Sequence, residues 1–323
     1  MKGYVWLFAL CYVVITILPL PLLPNEVPVL GAPVTSPTQT DKPAEENITV
    51  LDTAAGVLYT FRERDFLIYT VAAEMPASYH PEALKAQAVA TYTYYMREKN
   101  VNADKTDLQG ADTAQVPLSF PTAYSPEGLQ EKWGNDYEKH LTAVASAVDA
   151  VFGQILTYDG EAILAVYHAR NGGRTETAGV VWGKDYPYLP SVVSSADAEK
   201  GSERVTVSDG DLAAAFEEVT LTGDAASWIG GNPTTTQAGT VTAITIGGTV
   251  FTGSEVRERL NLKSACFTVT HGEEGFVFEV KGHGHAVGMS QVGAGGMAAQ
   301  GFTYEEILAH YYPGATLVDK KTS

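Results

Sequence analysis

The chain has 323 residues and a formal charge of -17, from 21 lysines and arginines against 38 aspartates and glutamates. That balance excludes a nucleic-acid binder, whose partner's phosphates need neutralising, and it argues against a broad basic groove for an anionic polymer. Two cysteines, Cys11 and Cys266, provide no disulfide framework and no cysteine-based metal site.

After Lys2, an uncharged and mostly apolar run extends from Tyr4 to Leu23, about one bilayer thickness. The expectation is a transmembrane anchor over residues 1–23, with the protein held single-pass at the cell membrane and the remainder extracytoplasmic. A cleaved signal peptide is the alternative, though the run is long for one and no small-x-small site follows closely. Residues 24–50 carry prolines at 24, 28, 33, 37 and 43 and read as a flexible Pro-rich linker. Residues 51–317 then form the globular part.

Asp52 to Phe61 reads as a short strand or hairpin. A helix follows and ends near Pro76, since proline removes a donor and restricts its predecessor. Leu67, Val71 and Glu74 fall at i, i+4 and i+7, placing a carboxyl group on the apolar stripe in the last turn. Desolvation and the helix C-terminus both disfavour its charge, so Glu74 is expected to have a raised pKa suited to a general acid. Its bland alternative is a solvated edge position. A second helix spans Pro81 to Lys99, with Pro81 and Glu82 in its first turn and alanines at 83, 86, 88 and 90 for close packing. Glu82 therefore has a sufficient structural reason.

Residues 102–122 are polar and irregular. Tyr137 to about Phe152 is helical. QILTY, Asp159-Gly160 and EAILAVYHA predict a hairpin with a type I′ turn, its second strand reaching His168. ARNGGRTE follows as a polar turn. Trp182, Tyr186 and Tyr188 suit either pyranose rings or the core. Residues 194–240 carry a weaker pattern and read as a small, β-rich insertion. Strands are expected at Val241–Ile246, Cys266–Thr270 and Gly275–Gly282, with a helix started by Ser254. Helices and strands mix without doubly wound alternation, which predicts an α+β fold.

The stretch from Gly282 to Gly314 holds three histidines and eight glycines, a density that implies close backbone approach. Thr303 and Glu306 form a capping-box pattern before a helix. His283 and His285 would share one side of a strand, and with His168 or His310 they compose a metal site on paper. No carboxylate or cysteine stands at a suitable spacing, so no metal and no cofactor is expected. Ser290 lacks a nucleophile elbow; Ser290 and Gln291 are read as hydrogen-bond donors.

Four segments carry a resemblance: AEMPASYHPEALKAQAVA (Ala73–Ala90), ILAVYHARNGGRTE (Ile163–Glu176), VWGKDYPYLPSV (Val181–Val192) and the Gly282–Gly314 stretch. In this order they are similar to the stage II sporulation protein D family. The resemblance implies a peptidoglycan lytic transglycosylase that cleaves between N-acetylmuramic acid and N-acetylglucosamine in glycan strands stripped of stem peptides. It also implies septal wall remodelling during sporulation engulfment, with a cell-wall amidase and sporulation membrane proteins as partners. The family's essential acid lies in the first signature; the helix-end argument favours Glu74, with Glu82 as the alternate.

Within the other three segments, the candidate saccharide contacts are His168, Gly172, Gly173, Arg174, Thr175 and Glu176, then Trp182. His283, His285, Ser290, Gln291 and Tyr311 complete the set. Two departures stand out: Tyr92 replaces a usual arginine, and Ala286 replaces a glycine. The segment VNADKTDLQGADTAQVPLSF holds neither His nor Cys where some relatives carry a zinc-type cluster, so no metal is expected there either. A catalytically weak glycan-binding scaffold for an amidase is the main alternative, and a metallohydrolase built on His168, His283 and His285 a third.

Overall fold

The computed structural model describes residues 46–53, 56–102, 108–115 and 125–320. Strand β1 (Asn47–Asp52) begins inside the stretch read as linker, because Ile48 and Val50 are apolar at alternate positions and both are buried. It pairs antiparallel with β2 (Val57–Arg62), from Asn47 opposite Arg62 to Asp52 opposite Val57.

Helix α1 (Glu63–Glu74) is buried on every side from Glu63 to Ala72. The apolar stripe expected of it is therefore a whole buried cylinder, and the chain surfaces only at Ala73 and Glu74. Helix α2 (Pro81–Asn102) is the central element. Ala83, Ala86, Ala88 and Ala90 are each fully buried, and their small side chains let several helices approach its axis closely. Strand β3 (Thr113–Gln115) joins β1 in parallel. Helix α3 (Pro126–Trp133) starts where Ser125 Oγ accepts from the Gly128 N–H at 3.1 Å. Helix α4 (Tyr137–Val151) buries Leu141, Val144, Ala147, Val148 and Val151.

Strands β4 (Gln154–Tyr158) and β5 (Glu161–Ala162) turn through Asp159 and Gly160, with φ of 51° and 83°. Both values are those of a type I′ turn. The second strand does not run unbroken to His168. It ends at Ala162, and β6 (Tyr167–His168) belongs to a different pairing. After α5 (Ala178–Trp182) and α6 (Ser195–Ala198) the chain leaves the first core.

It then forms β7 (Ser202–Val207), α7 (Asp209–Ala215), β8 (Ile229–Thr235), β9 (Val241–Ile246), β10 (Thr249–Phe251), α8 (Gly253–Arg259), β11 (Phe267–Gly272) and β12 (Gly275–Lys281). One sheet runs β11-β12-β7 and the other β10-β9-β8. Their facing side chains make a second core, with Phe216, Phe251, Phe276 and Phe278 at its centre. Residues of the expected insertion at 194–240 contribute Val207, Leu212 and Phe216 to it. The capping residue of α8 is Thr252, in a capping box with Glu255, two positions before the expected start.

The chain returns through β13 (Met289–Ser290), parallel to β6, then α9 (Gln291–Ala299), α10 (Tyr304–Tyr311) and β14 (Thr316–Asp319) against β4. Thr303 and Glu306 do form the capping box of α10. The architecture is mixed α+β.

The expected N-terminal membrane helix is corrected. Among the described residues no helix is long and apolar enough to cross a membrane, and the Tyr4–Leu23 run that suggested one lies outside them. The single-pass placement at the membrane has no spanning element to rest on and is withdrawn with it. Residues 24–45 of the linker and residues 103–107 and 116–124 of the irregular segment also lie outside the described residues.

Candidate active site

Glu74 sits where α1 emerges from the core. Its carboxyl is solvent-accessible, yet the surrounding protein withdraws enough water to raise its pKa above the ordinary 4.5. A hydrogen bond from Gln291 and the charge of Lys132 oppose that rise without cancelling it. Lys132 reaches across from α3 and donates to the Ala72 and Ala73 carbonyl oxygens at 3.0 and 3.4 Å. It thereby caps the negative end of α1 while facing its acid. Burial lowers the pKa of Lys132, and the Glu74 charge partly restores it.

Gln291 has a second partner. Its Nε2 donates to Gln87 Oε1 at 3.3 Å, and Gln87 Nε2 donates to Thr91 Oγ1 at 3.0 Å. Gln291 therefore lies between the acid and Gln87. Gln87 is fully buried on α2, which fixes Gln291 near the acid.

Glu82 is held differently. Its Oε1 accepts from Lys85 at 2.6 Å and its Oε2 from the Tyr304 N–H at 2.8 Å, so it caps the first turn of α10. Burial alone would raise its pKa, but these hydrogen bonds bring it below the ordinary 4.5. The two candidate acids are thus pushed in opposite directions.

Ser290, next to Gln291, enters another network. Its Oγ donates to Asp197 Oδ1 at 2.9 Å and accepts from the Gly293 N–H at 3.0 Å as the N-cap of α9. Asp197 Oδ1 also accepts from the Asn171 N–H at 3.0 Å, and Asp197 Oδ2 accepts from Ser194 Oγ. Ser194 Oγ meets the Tyr311 hydroxyl at 2.7 Å. Burial raises the Asp197 pKa, and its hydrogen-bond donors restrain that rise. Gly293 is required here, because a Cβ would collide with the Tyr311 hydroxyl and Ser194 Oγ.

His168 is buried, with Nδ1 donating to the Val287 carbonyl at 3.1 Å and Nε2 accepting from Asn171 at 3.1 Å. That assignment follows from the carbonyl partner, which can only accept. Both ring nitrogens are engaged, which leaves no lone pair for a metal. Burial pushes the His168 pKa down to about 3 and that of His285 to about 4. Among the described residues no three His, Cys, Asp or Glu side chains group as a metal site.

His283 and His285 do not share a strand. His283 is exposed and bridges Arg170, while His285 packs against His168 and Trp182, with centroids 5.7 and 5.0 Å away. Trp182 is 46% exposed. Tyr188 is buried and its hydroxyl accepts from the Leu164 N–H at 3.2 Å, so it belongs to the core. Gly172 abuts Cys266, and the Gly173 N–H donates to Asn171 Oδ1 at 2.8 Å. Thr175 is buried, with Oγ1 accepting from the Val192 N–H at 2.8 Å. Glu176 accepts from the Thr177 N–H at 2.9 Å and from Thr236 Oγ1 at 2.6 Å. Arg174 donates to the Ser191 carbonyl at 3.3 Å.

A groove of about 340 Å³ runs past Tyr79 and His80 and along α9 at Val292, Gly295 and Gly296. Glu74 does not line it, although Tyr79 follows five residues later. Asp197, Gln87, Asn171 and Lys132 were missed in the sequence. Gln87 alone had a signal, since an amide among buried alanines needs a partner.

Tyr92 donates to Glu63 Oε2 at 2.8 Å, at the start of α1. It is therefore remote from Glu74, about 16 Å along the helix at the usual rise of about 1.5 Å per residue. Ala286 has φ of 64°, a left-handed conformation that glycine adopts more readily than alanine.

A family model described as stage II sporulation protein matches residues 53–158. Stage II sporulation protein D of Bacillus subtilis (strain 168) is 34% identical over 290 residues, covering 88% of this chain and 82% of the relative. Its counterpart from Bacillus amyloliquefaciens is 34% identical over 78% of this chain and 73% of its own length. A protein named amidase enhancer, from Bacillus subtilis (strain 168), is 29% identical over 76% of this chain but only 39% of its own length. The first two are each more than 30% identical over more than two thirds of this chain, and the chain belongs to the stage II sporulation protein D family.

Proposed function

We propose that this protein is a lytic transglycosylase of peptidoglycan, acting on peptide-free glycan strands in septal wall remodelling during sporulation engulfment. The observation that carries this reading is Glu74, a solvent-reached carboxyl at the end of α1 whose pKa is raised by burial, with Gln291 and Lys132 beside it. Protonated Glu74 gives its proton to the oxygen between N-acetylmuramic acid and N-acetylglucosamine, and the C1–O bond breaks. The resulting carboxylate takes the proton of the substrate's C6 hydroxyl as O6 bonds to C1, leaving a 1,6-anhydro end. One carboxyl group suffices for this internal transfer, whereas hydrolysis normally uses two. Glu82, spent on capping α10, is poorly placed for the role.

A second reading has its own support: a glycan-binding scaffold that positions or activates a cell-wall amidase. One relative is named for enhancing an amidase, and the names of the two stage II sporulation protein D relatives state no activity. The comparisons therefore favour this reading, and the site geometry favours the first.

Mass spectrometry of peptide-free strands incubated with wild type and Glu74→Gln separates the two. Anhydromuramic ends from the wild type, reduced ~10²- to 10⁴-fold in the variant, are expected of a general acid. Intact strands from the wild type, with faster peptide release by an added amidase, would replace transglycosylation with the scaffold.

A further inference from the structure

The C-terminus of α1 is closed from outside the helix. The Ala72 carbonyl would ordinarily accept from the N–H one turn further on, but Pro76 stands there and has none. The chain leaves at Met75 in an extended conformation, its own N–H returned to the Val71 carbonyl. No glycine follows to wind the end into a left-handed cap. Lys132 Nζ, from α3, supplies the missing donor and reaches the Ala72 and Ala73 carbonyls at 3.0 and 3.4 Å. Glu74 is the next residue and the last of α1.

Capping needs a donor and not a charge. What the charge adds is directed at Glu74. Partial burial disfavours the Lys132 ammonium, and among the described residues Glu74 is the one ionisable group that supports it. In return Lys132 is the one charge that acts on the Glu74 carboxyl, because the other side chain on it, Gln291 of α9, is neutral. Helices α2 and α4 and strands β1 and β2 also pack against α1. Among the described residues they bring no further charge to the acid.

A general acid is neutral at rest and negative in mid-reaction. Once the proton is on the glycosidic oxygen, the Glu74 carboxylate lies at the negative end of α1 until the C6 hydroxyl returns a proton. It needs a positive neighbour then, not before. A direct ion pair would hold it ionised from the start, as the Lys85 contact at 2.6 Å helps to do for Glu82. Lys132 makes its hydrogen bonds to carbonyls instead, and acts on the acid through its field.

We propose that Lys132 is a positioning residue of this site, whose anchored ammonium steadies the Glu74 carboxylate while its proton is on the leaving sugar. This rests on the glycan reading above and gives a site with one carboxyl group its countercharge. Lys132 keeps its own proton throughout.

Titrations of the full chain test this with and without turnover. Lys132→Gln keeps N–H donors for the carbonyls and removes the charge, whereas Lys132→Arg keeps both. By NMR, the Glu74 carboxyl midpoint should move up in Lys132→Gln and stay near that of the wild type in Lys132→Arg. On peptide-free strands the alkaline limb of the Lys132→Gln profile should move up with it. Maximal turnover should fall ~10-fold, less than the ~10²- to 10³-fold lost with a donor that touches the reacting atoms. Linkage makes the coupling reciprocal. In Glu74→Gln the Lys132 ammonium midpoint should therefore move down, and this measurement decides the matter if Lys132→Gln does not fold. Midpoints that stay put in both variants would reduce Lys132 to a helix cap and overturn the proposal. Midpoints that move, with strands left intact by the wild type, would overturn the glycan reading and leave the Lys132–Glu74 coupling standing.

Discussion

Tyr92 donates its hydroxyl proton to Glu63 across 2.8 Å, joining the middle of α2 to the first turn of α1. Among the described residues the other, buried Glu63 oxygen has no hydrogen-bond partner, and Lys320 and Lys99 stand near it at 3.5 and 3.9 Å. Tyr92→Phe should therefore destabilise the fold by about 1–3 kcal/mol, the usual cost of stranding a buried acceptor. Urea unfolding measures this. Turnover per folded molecule should be unchanged, and its loss at preserved stability would show that Tyr92 acts on the acid after all.

Glu74 makes a prediction in pH. Its folded pKa is raised above 4.5, so its contribution to stability is fully present below 4.5 and is lost as pH rises through the folded value. Glu74→Gln should be the more stable protein at pH 8, with the difference shrinking toward pH 4. Turnover by the wild type should fall on the alkaline side as the acid loses its proton. Thermal melts at both pH values, run beside an activity profile, check the two limbs; a variant less stable at pH 8 would mean that the carboxylate is stabilised in place.

His168 and His285 work in the opposite direction. Their pKa values of about 3 and about 4 lie below the ordinary 6.5. The folded state therefore loses stability as pH falls from about 6.5 through those values. In an NMR titration their ring signals should stay unshifted from pH 7.5 to 5.5. A midpoint near 6.5 for either ring would place it in water rather than in the packed pair that Trp182 covers at His285.

These residues also mark what the sequence reveals and what it withholds. The Asp159-Gly160 turn and the Thr303–Glu306 cap were legible because their chemistry is local: two positive φ values in one case, two reciprocal hydrogen bonds in the other. Glu74 was picked out for its place on an apolar stripe, whereas α1 is buried all round and the acid stands where it surfaces. Asp197 was passed over as one acid in a weak segment, because its partners Asn171, Ser194 and Ser290 converge only on folding.

Gly293 and Gly295 lie two residues apart on α9 and should respond unequally to alanine. A Cβ at Gly293 meets the Tyr311 hydroxyl, Ser194 and Asp197, whereas at Gly295 it meets the Tyr79 ring at 3.1 Å. Gly293→Ala should cost about 1–3 kcal/mol by overpacking, and Gly295→Ala less, since the Tyr79 ring is half-exposed and can yield. Parallel denaturation curves decide it, and equal costs would count against the Asp197 network as a rigid unit.

Ala286→Gly should stabilise the protein by roughly 0.5–1 kcal/mol, since φ of 64° suits glycine and strains any residue with a Cβ. A fall in melting temperature would show that the Ala286 methyl makes a contact worth more than the strain.

The hydrogen bond from Gln291 to Gln87 spans 204 residues of chain. A growing polypeptide makes Glu74 before the whole second core and Gln291 only after it. Closing so long a loop is slow and comes late in folding. A half-folded molecule carries the acid without Gln291 beside it, so the site is assembled only after the second core has been made.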